Sequence, residues 1–248
     1  MVRRGQKKHQ KRLPAPKNWP IPRKETKFVA RVIPGPHPKE HCLTLTLLLR
    51  EVLEYAQNMR EVKAILSSEQ LKVDGIIRKD PRFPVGLMDV VQIESSDEIF
   101  RLLPRSRGGF RLHPIDDEEG KMKICRIEKK MMAPGGRVQI TLHDGKNILL
   151  PEGEDPSEYS RYDTLKISVP DQDILKVIPL KEGVVALVTR GKNVGMEGTL
   201  VKIQKQLGTH ASTVTIQDRQ GDRFETALDY IFALGEDKPE ISLGDDSR

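Results

Sequence analysis

From Leu45 the apolar positions fall at Leu45, Leu48, Leu49, Val52, Leu53 and Ala56, with Arg50, Glu51 and Glu54 between them. That spacing predicts an amphipathic helix over 45–56. A second, shorter helix is predicted over 61–66, where Val62, Ile65 and Leu66 share a face. The period then drops to two. Leu71-Lys72-Val73 and Ile76-Ile77 flank an Asp74-Gly75 dipeptide, the pattern of a tight β-hairpin, and 88–93 reads as a further strand. Two helices leading into a small hairpin sheet predict a compact α+β module over 41–103.

Residues 104–172 read as a β domain, with strands at 123–127 and 138–142 separated by Gly135-Gly136. A His143-Asp144-Gly145 turn then leads into Ile148-Leu149-Leu150. Residues 173–248 open with a β run at 183–188, a glycine-rich turn and a second run at 199–203. A hairpin of 213–217 and 224–227 around Gln220-Gly221-Asp222 is expected to close a small barrel. Glycines 191, 195 and 198 are spaced by four then three, which is neither the dinucleotide-loop spacing nor a phosphate loop. Gly75, Gly195 and Gly198 are read as backbone positions that need positive φ or close approach.

The first 39 residues have neither period. They hold twelve Lys/Arg against the single acid Glu25, so this stretch is +11 while the rest of the 248-residue chain is −5. Prolines 14, 16, 20, 22, 34, 36 and 38 interrupt it. Proline fixes φ and removes a donor, so the segment is expected to run extended, without a core, and to be dispensable for folding. A cationic strand of this kind suits a polyanion, because neutralising phosphates releases counterions. A plain tail or targeting peptide is the competing reading. A secretory signal lacks its apolar run here, and a mitochondrial presequence would carry serines that this stretch does not have. Trp19, the only tryptophan, is expected either to stack on a base or to cover an apolar surface of the protein itself.

Searching for catalytic chemistry yields none. Cys42 and Cys125 stand far apart without Cys-x-x-Cys or a histidine at ligand spacing, and the six histidines are scattered. No zinc site, disulfide framework, cofactor loop or nucleophile elbow is indicated. The run Asp116-Asp117-Glu118-Glu119 is expected to be a hydrated loop. No apolar stretch approaches the roughly 18 residues of a membrane span, which predicts a soluble protein.

Several ordered segments together resemble the ribosomal protein S4e family, the e-type small-subunit protein four of archaea and eukaryotes. They are Arg4-Gly5-Gln6-Lys7-Lys8-His9, Lys17-Asn18-Trp19-Pro20-Ile21, Pro34-Gly35-Pro36-His37, Glu61-Val62-Lys63-Ala64-Ile65, Val73-Asp74-Gly75, 83–90, 142–147, 191–195 and 224–230. The resemblance spans nearly the whole chain and suggests an archaeal member. It implies a multidomain α+β protein: a basic extended arm (1–40), an S4-like RNA-binding module (41–103), a central β domain (104–172) and a KOW-type SH3-like barrel with a C-terminal tail (173–248). It also implies 16S-type rRNA and neighbouring small-subunit proteins as partners, no membrane or small-molecule substrate, no cofactor, and a cytoplasmic, ribosome-bound location. One departure is Cys42-Leu43-Thr44-Leu45, where a proline would be expected at the entry to the first helix.

Phosphate contacts from Arg and Lys position such a protein, and folded modules recognise RNA by shape. The expected contacts in the arm are Arg3, Arg4, Lys7, Lys8, His9, Lys11, Arg12, Lys17, Trp19, Arg23, Lys24, Lys27 and Arg31. In the first module they are Lys63, Lys72, Arg78 and Lys79, and in the last turn Arg190, Lys192 and Asn193. The function expected is a structural constituent of the 30S subunit. The competing classes are a KOW-bearing transcription elongation factor, which should add a polymerase-binding domain, and an RNA-modifying enzyme with an S4-like module, which should add a catalytic domain.

Overall fold

The computed structural model describes residues 9–106, 108–151, 153, 155–206 and 211–244. The basic segment is folded against the body. Gln10–Lys11 (β1) pairs antiparallel with Phe28–Val29 (β2), and between them Ala15, Trp19 and Ile21 enter the same core as Leu43, Leu45 and Leu71. Trp19 is 3% exposed and its indole N–H donates to the Cys42 carbonyl at 2.8 Å. Proline-rich backbone has few partners for its own carbonyls, so side chains must supply donors. Arg12, 4% exposed, donates to the Pro22 carbonyl, and Arg23 donates to those of Ala15 and Pro16, each at 2.7 Å. The expectation of a coreless extended arm is therefore corrected: Ala15, Trp19 and Ile21 are aperiodic but buried.

The first helix begins where the sequence lacks proline because Thr44 accepts a hydrogen bond from the Leu47 N–H and caps it. It comprises Leu45–Leu47 (α1) followed by a wide π turn at Leu48–Val52. It stops short of the predicted Ala56, as Glu54 turns into the left-handed region at φ 57°. Met59–Ser67 (α2) contains the predicted 61–66. Its N-cap Asn58 accepts from the amides of Arg60 and Glu61, while Glu61 reaches back to the Gln57 amide. Cys42–Thr44 (β3) pairs with Pro84–Gly86 (β6). The hairpin of Leu71–Val73 (β4) and Ile76–Ile77 (β5) turns through Asp74 at φ 50° and Gly75 at φ 70°, both positive as its two-residue turn requires.

That hairpin belongs to a five-stranded sheet with Val90–Ile93 (β7), Glu98–Pro104 (β8) and Phe110–Pro114 (β9), in the order β5-β4-β7-β8-β9. The sheet continues past the 103/104 boundary expected from the sequence. The acidic run forms a short turn of helix, Asp117–Gly120 (α3). Its Glu119 is held by the fully buried Arg101 and accepts from the Ser242 amide at 2.8 Å, so one of the four carboxylates is structural and not merely hydrated.

Met122–Met132 (β10) is longer than predicted. Its first half pairs with Thr164–Ser168 (β13) and its second half with Val138–Leu142 (β11) across a register shift at 127/129. Asn147–Leu149 (β12) and Ile174–Ile178 (β14) complete the order β12-β11-β10-β13-β14 around Cys125, Ile127, Ile140, Leu165 and Ile167. The last sheet contains Val185–Val188 (β15), Glu197–Gln204 (β16), Thr213–Gln217 (β17), Arg223–Ala227 (β18) and Ile231–Gly235 (β19), in the order β18-β17-β16-β15-β19. A Cβ on Gly198 would stand 2.4 Å from the Gln217 carbonyl oxygen, so this strand crossing requires glycine. Among the described residues no helix is long and apolar enough to cross a membrane.

Because Trp19 fills the first core, Trp19→Ala is expected to lower unfolding free energy by about 3–5 kcal/mol in urea melts followed by circular dichroism. Deleting residues 1–39 should likewise lower the thermal midpoint. An unchanged midpoint would restore the picture of a dispensable arm.

Candidate nucleic-acid interface

The structure separates the cations that sequence grouped together. Arg3, Arg4, Lys7 and Lys8 lie outside the described residues. Lys11, Lys17, Lys24, Lys27 and Lys63 are exposed, as is His9. His9 and the Lys27 ammonium both lie against the exposed Phe28 ring, at 5.3 and 5.5 Å. Arg31 is half-buried. Arg12 and Arg23 are committed to backbone carbonyls, and Arg12 also lies 3.6 Å from Glu25. Trp19 has its face in the core, which removes base stacking from its two expected roles.

In the first module Lys72 pairs with Glu94 and Lys79 with Glu69, each at 2.5 Å. The Arg78 guanidinium lies 4.4 Å over the Phe83 ring. Surface pairs of this kind contribute about 0–1 kcal/mol, so an RNA phosphate can compete for them. In the last sheet's turn Arg190 and Lys192 are exposed, and Asn193 is half-buried with its backbone carbonyl accepting from Met196. Gly195, at φ 84°, is packed so closely on the β8–β9 loop that a Cβ would come within 2.8 Å of the Ser106 nitrogen. This turn is therefore also a joint between sheets.

Beneath these surfaces lies a charged cluster that sequence reasoning did not identify. The Lys123 ammonium, with no side-chain exposure, donates to Asp74 at 2.7 Å, Asp89 at 2.6 Å and Asp144 at 3.0 Å. Lys146 adds contacts to Asp74 at 3.0 Å and Asp144 at 3.6 Å. From the basic segment, His37 lies 3.0 Å from Asp89, whose second role is to accept from the Gly86 amide. Asp74 also accepts from the Val90 amide. Three parts of the chain thus meet in one ionic cluster. Burial works against the charge of Lys123, yet the three carboxylates outweigh it and raise its pKa well above the ordinary value. Burial also opposes ionisation of Asp89 and Asp144, but His37 and Lys123 for the former, and Lys123 foremost for the latter, hold both below the usual carboxylate range.

Beside this cluster Cys125, His143 and Asp144 bring three ligand atoms within 4.8 Å of one another. The donor set does not suit a metal, because each member is already occupied. Asp144 serves the two lysines. His143 Nε2 faces the Leu87 carbonyl at 3.1 Å, and its Nδ1 accepts from the Arg126 amide at 3.2 Å. The Cys125 thiol donates to Asp144 at 3.7 Å, and burial, reinforced by Asp144, pushes it well above its ordinary pKa. Burial likewise lowers His143 to about 4, which keeps the imidazole neutral.

Comparison with known proteins gives matches over nearly the whole chain. The model of "Ribosomal family S4e" matches residues 96–174, and that of the RS4NT domain matches residues 4–40. The "Small ribosomal subunit protein eS4" of Aeropyrum pernix is 45% identical over 247 residues, covering 98% of both chains. That of Staphylothermus marinus is 44% identical over the same share. The chain belongs to the ribosomal S4e family. The solved 30S ribosomal protein S4e from Thermoplasma acidophilum superposes with a TM-score of 0.65 at 30% identity, over 80% of this chain and 97% of that one. The RS4NT match at 4–40 coincides with the basic segment whose Trp19, Arg12 and Arg23 are folded into the body.

Removing Lys123 while its carboxylates stay should be severe. Lys123→Met is expected to destabilise the protein by about 3–5 kcal/mol in denaturant melts, because unpaired buried charge remains. The histidine gives a separate acid signature. Between about 4 and 6.5 the unfolded chain binds the His143 proton and the folded chain does not, so stability falls as pH drops through that window. Asp89 and Asp144 add their loss only below about 4. His143→Gln should flatten the 6.5-to-4 part of a stability-versus-pH curve and leave the steeper fall below it.

Proposed function

We propose that this S4e-family chain is a structural protein of the small ribosomal subunit, held on 16S-type rRNA by its basic segment and by cations on the folded body. The observation that carries the reading is the near-full-length identity to small-subunit eS4 proteins of archaea, joined to a charge of +11 confined to 39 residues. Such a charge distribution favours a phosphate polymer over a neutral or basic partner. Residues 41–103, with their two helices and hairpin, serve as an S4-like RNA-binding module. The sheet of that module runs on to β9; β10–β14, which carry the central sheet past the expected 172/173 boundary, act as the central β domain, and β15–β19 as a KOW-type SH3-like barrel. The protein works in the cytoplasm on the ribosome, beside neighbouring small-subunit proteins, and its role is architectural rather than enzymatic.

Lys11, Lys17, Lys24 and Lys27 are exposed, so their removal tests binding without disturbing the core. The quadruple Ala variant should melt within about 0.5 kcal/mol of wild type per site. In filter binding to 16S rRNA its log–log salt slope should be shallower by about 3. An unchanged slope, or failure of the wild-type protein to co-sediment with 30S particles at high salt, would remove the reading.

A further inference from the structure

A cavity of about 400 Å³ opens where the basic segment, the first module, the central sheet and the last sheet converge. Four planar side chains contribute to its lining: Phe110, Phe232, His37, which is held by Asp89, and the neutral His143. The His143 ring is 5.3 Å from Phe232, edge to face, and 5.9 Å from His37. Around the cavity stand three guanidinium groups, Arg126, Arg161 and Arg190, against two carboxylates, Glu128 and Asp229. Arg126 is fully committed, to Glu128 and to the carbonyls of Asp229 and Ile231. Arg161 stacks on Tyr162 and lies 3.9 Å from Asp229.

Arg190 and the half-buried ring of His41 differ. Among the described residues neither side chain makes a hydrogen bond or a short ion pair, although both border the cavity. Burial, together with nearby Arg190, holds His41 below its ordinary pKa, so its ring is a neutral, flat donor and acceptor. The cavity thus pairs planar faces that suit an aromatic ring with one uncommitted cation at its edge. Its volume is of the order that encloses one small molecule, and a base-paired duplex is too wide to enter it.

We propose that this inter-module cavity receives a single unpaired nucleotide of the bound RNA, its base against the imidazole and phenyl faces and its phosphate at Arg190. The inference rests on the rRNA-binding reading above and names a specific contact within it. Stacking on aromatic and imidazole faces is how proteins hold splayed-out RNA bases, and a guanidinium matches phosphate oxygens bidentately. Lys192, exposed two residues from Arg190, is suited to the flanking phosphate. The juxtaposition exists only when all the modules are docked, so RNA bound there would also hold them together.

The test uses the full chain, an archaeal 16S rRNA transcript, and base-specific chemical probing of Watson–Crick edges. With wild type, one unpaired nucleotide should lose reactivity. With His41→Ala or Arg190→Gln it should regain it, and affinity should fall about 5- to 100-fold. Arg190 is at the exposed mouth, so Arg190→Gln keeps the test valid if His41→Ala folds poorly. An abasic substitution at that nucleotide should weaken wild type and leave His41→Ala unaffected. If wild type binds rRNA but no single nucleotide depends on His41 and Arg190, the cavity proposal is overturned and the rRNA reading stands. If wild type does not bind the transcript, both fall.

Discussion

One ammonium group organises this molecule. Lys123 is enclosed by carboxylates that come from the β4–β5 turn, from the approach to β7 and from the β11–β12 turn. A buried charge tolerates little displacement, since a carboxylate left without its partner costs far more than a displaced methyl group. The first module can therefore dock on the central sheet in one register only. His37 extends the same constraint to the basic segment by way of Asp89. Apolar packing also joins the modules, through Met88, Leu103, Ile124 and Phe232, but such contacts are less particular about register than a charge. The ionic cluster acts as a positioning device.

Much of the body was legible in the sequence where one face of an element is buried and the other wet. The second helix, the Asp-Gly hairpin and β11 all have that character, so their periods identify them. Strand β19 escaped because both faces are covered. Ile231–Gly235 is buried throughout, and a continuous apolar run carries no period to read. The basic segment misled for a different reason. Its core residues Ala15, Trp19 and Ile21 follow no repeat, and charge and proline dominate its composition.

The central cluster hid behind ordinary local chemistry. Asp74 and Asp144 each precede a glycine in a turn, a position where aspartate needs no further explanation. Yet a signal was present. Lys123 falls on the same strand face as Cys125 and Ile127, and a lysine in an apolar row is out of place unless something buried neutralises it. Likewise Arg12 and Arg23 look like any other cations in the linear sequence. Their donors replace the backbone hydrogen bonds that a proline-rich stretch cannot make for itself, so formal charge overstates how much of the segment is available to a partner.

The docking of the basic segment has a consequence for the order of events during synthesis. Its farthest ionic partner arrives late, since Asp89 lies 52 residues beyond His37, and elsewhere Asp74 waits 72 residues for Lys146. The chain's last described strap is later still, with Arg111 closing on Leu243 across 132 residues. Non-local closures of this kind form slowly, while chains emerge from the N-terminus first. The most cationic part of the protein is thus made first and cannot be fully seated until Asp89 has emerged, so a nascent chain exposes an unseated polycation to whatever polyanion is nearest.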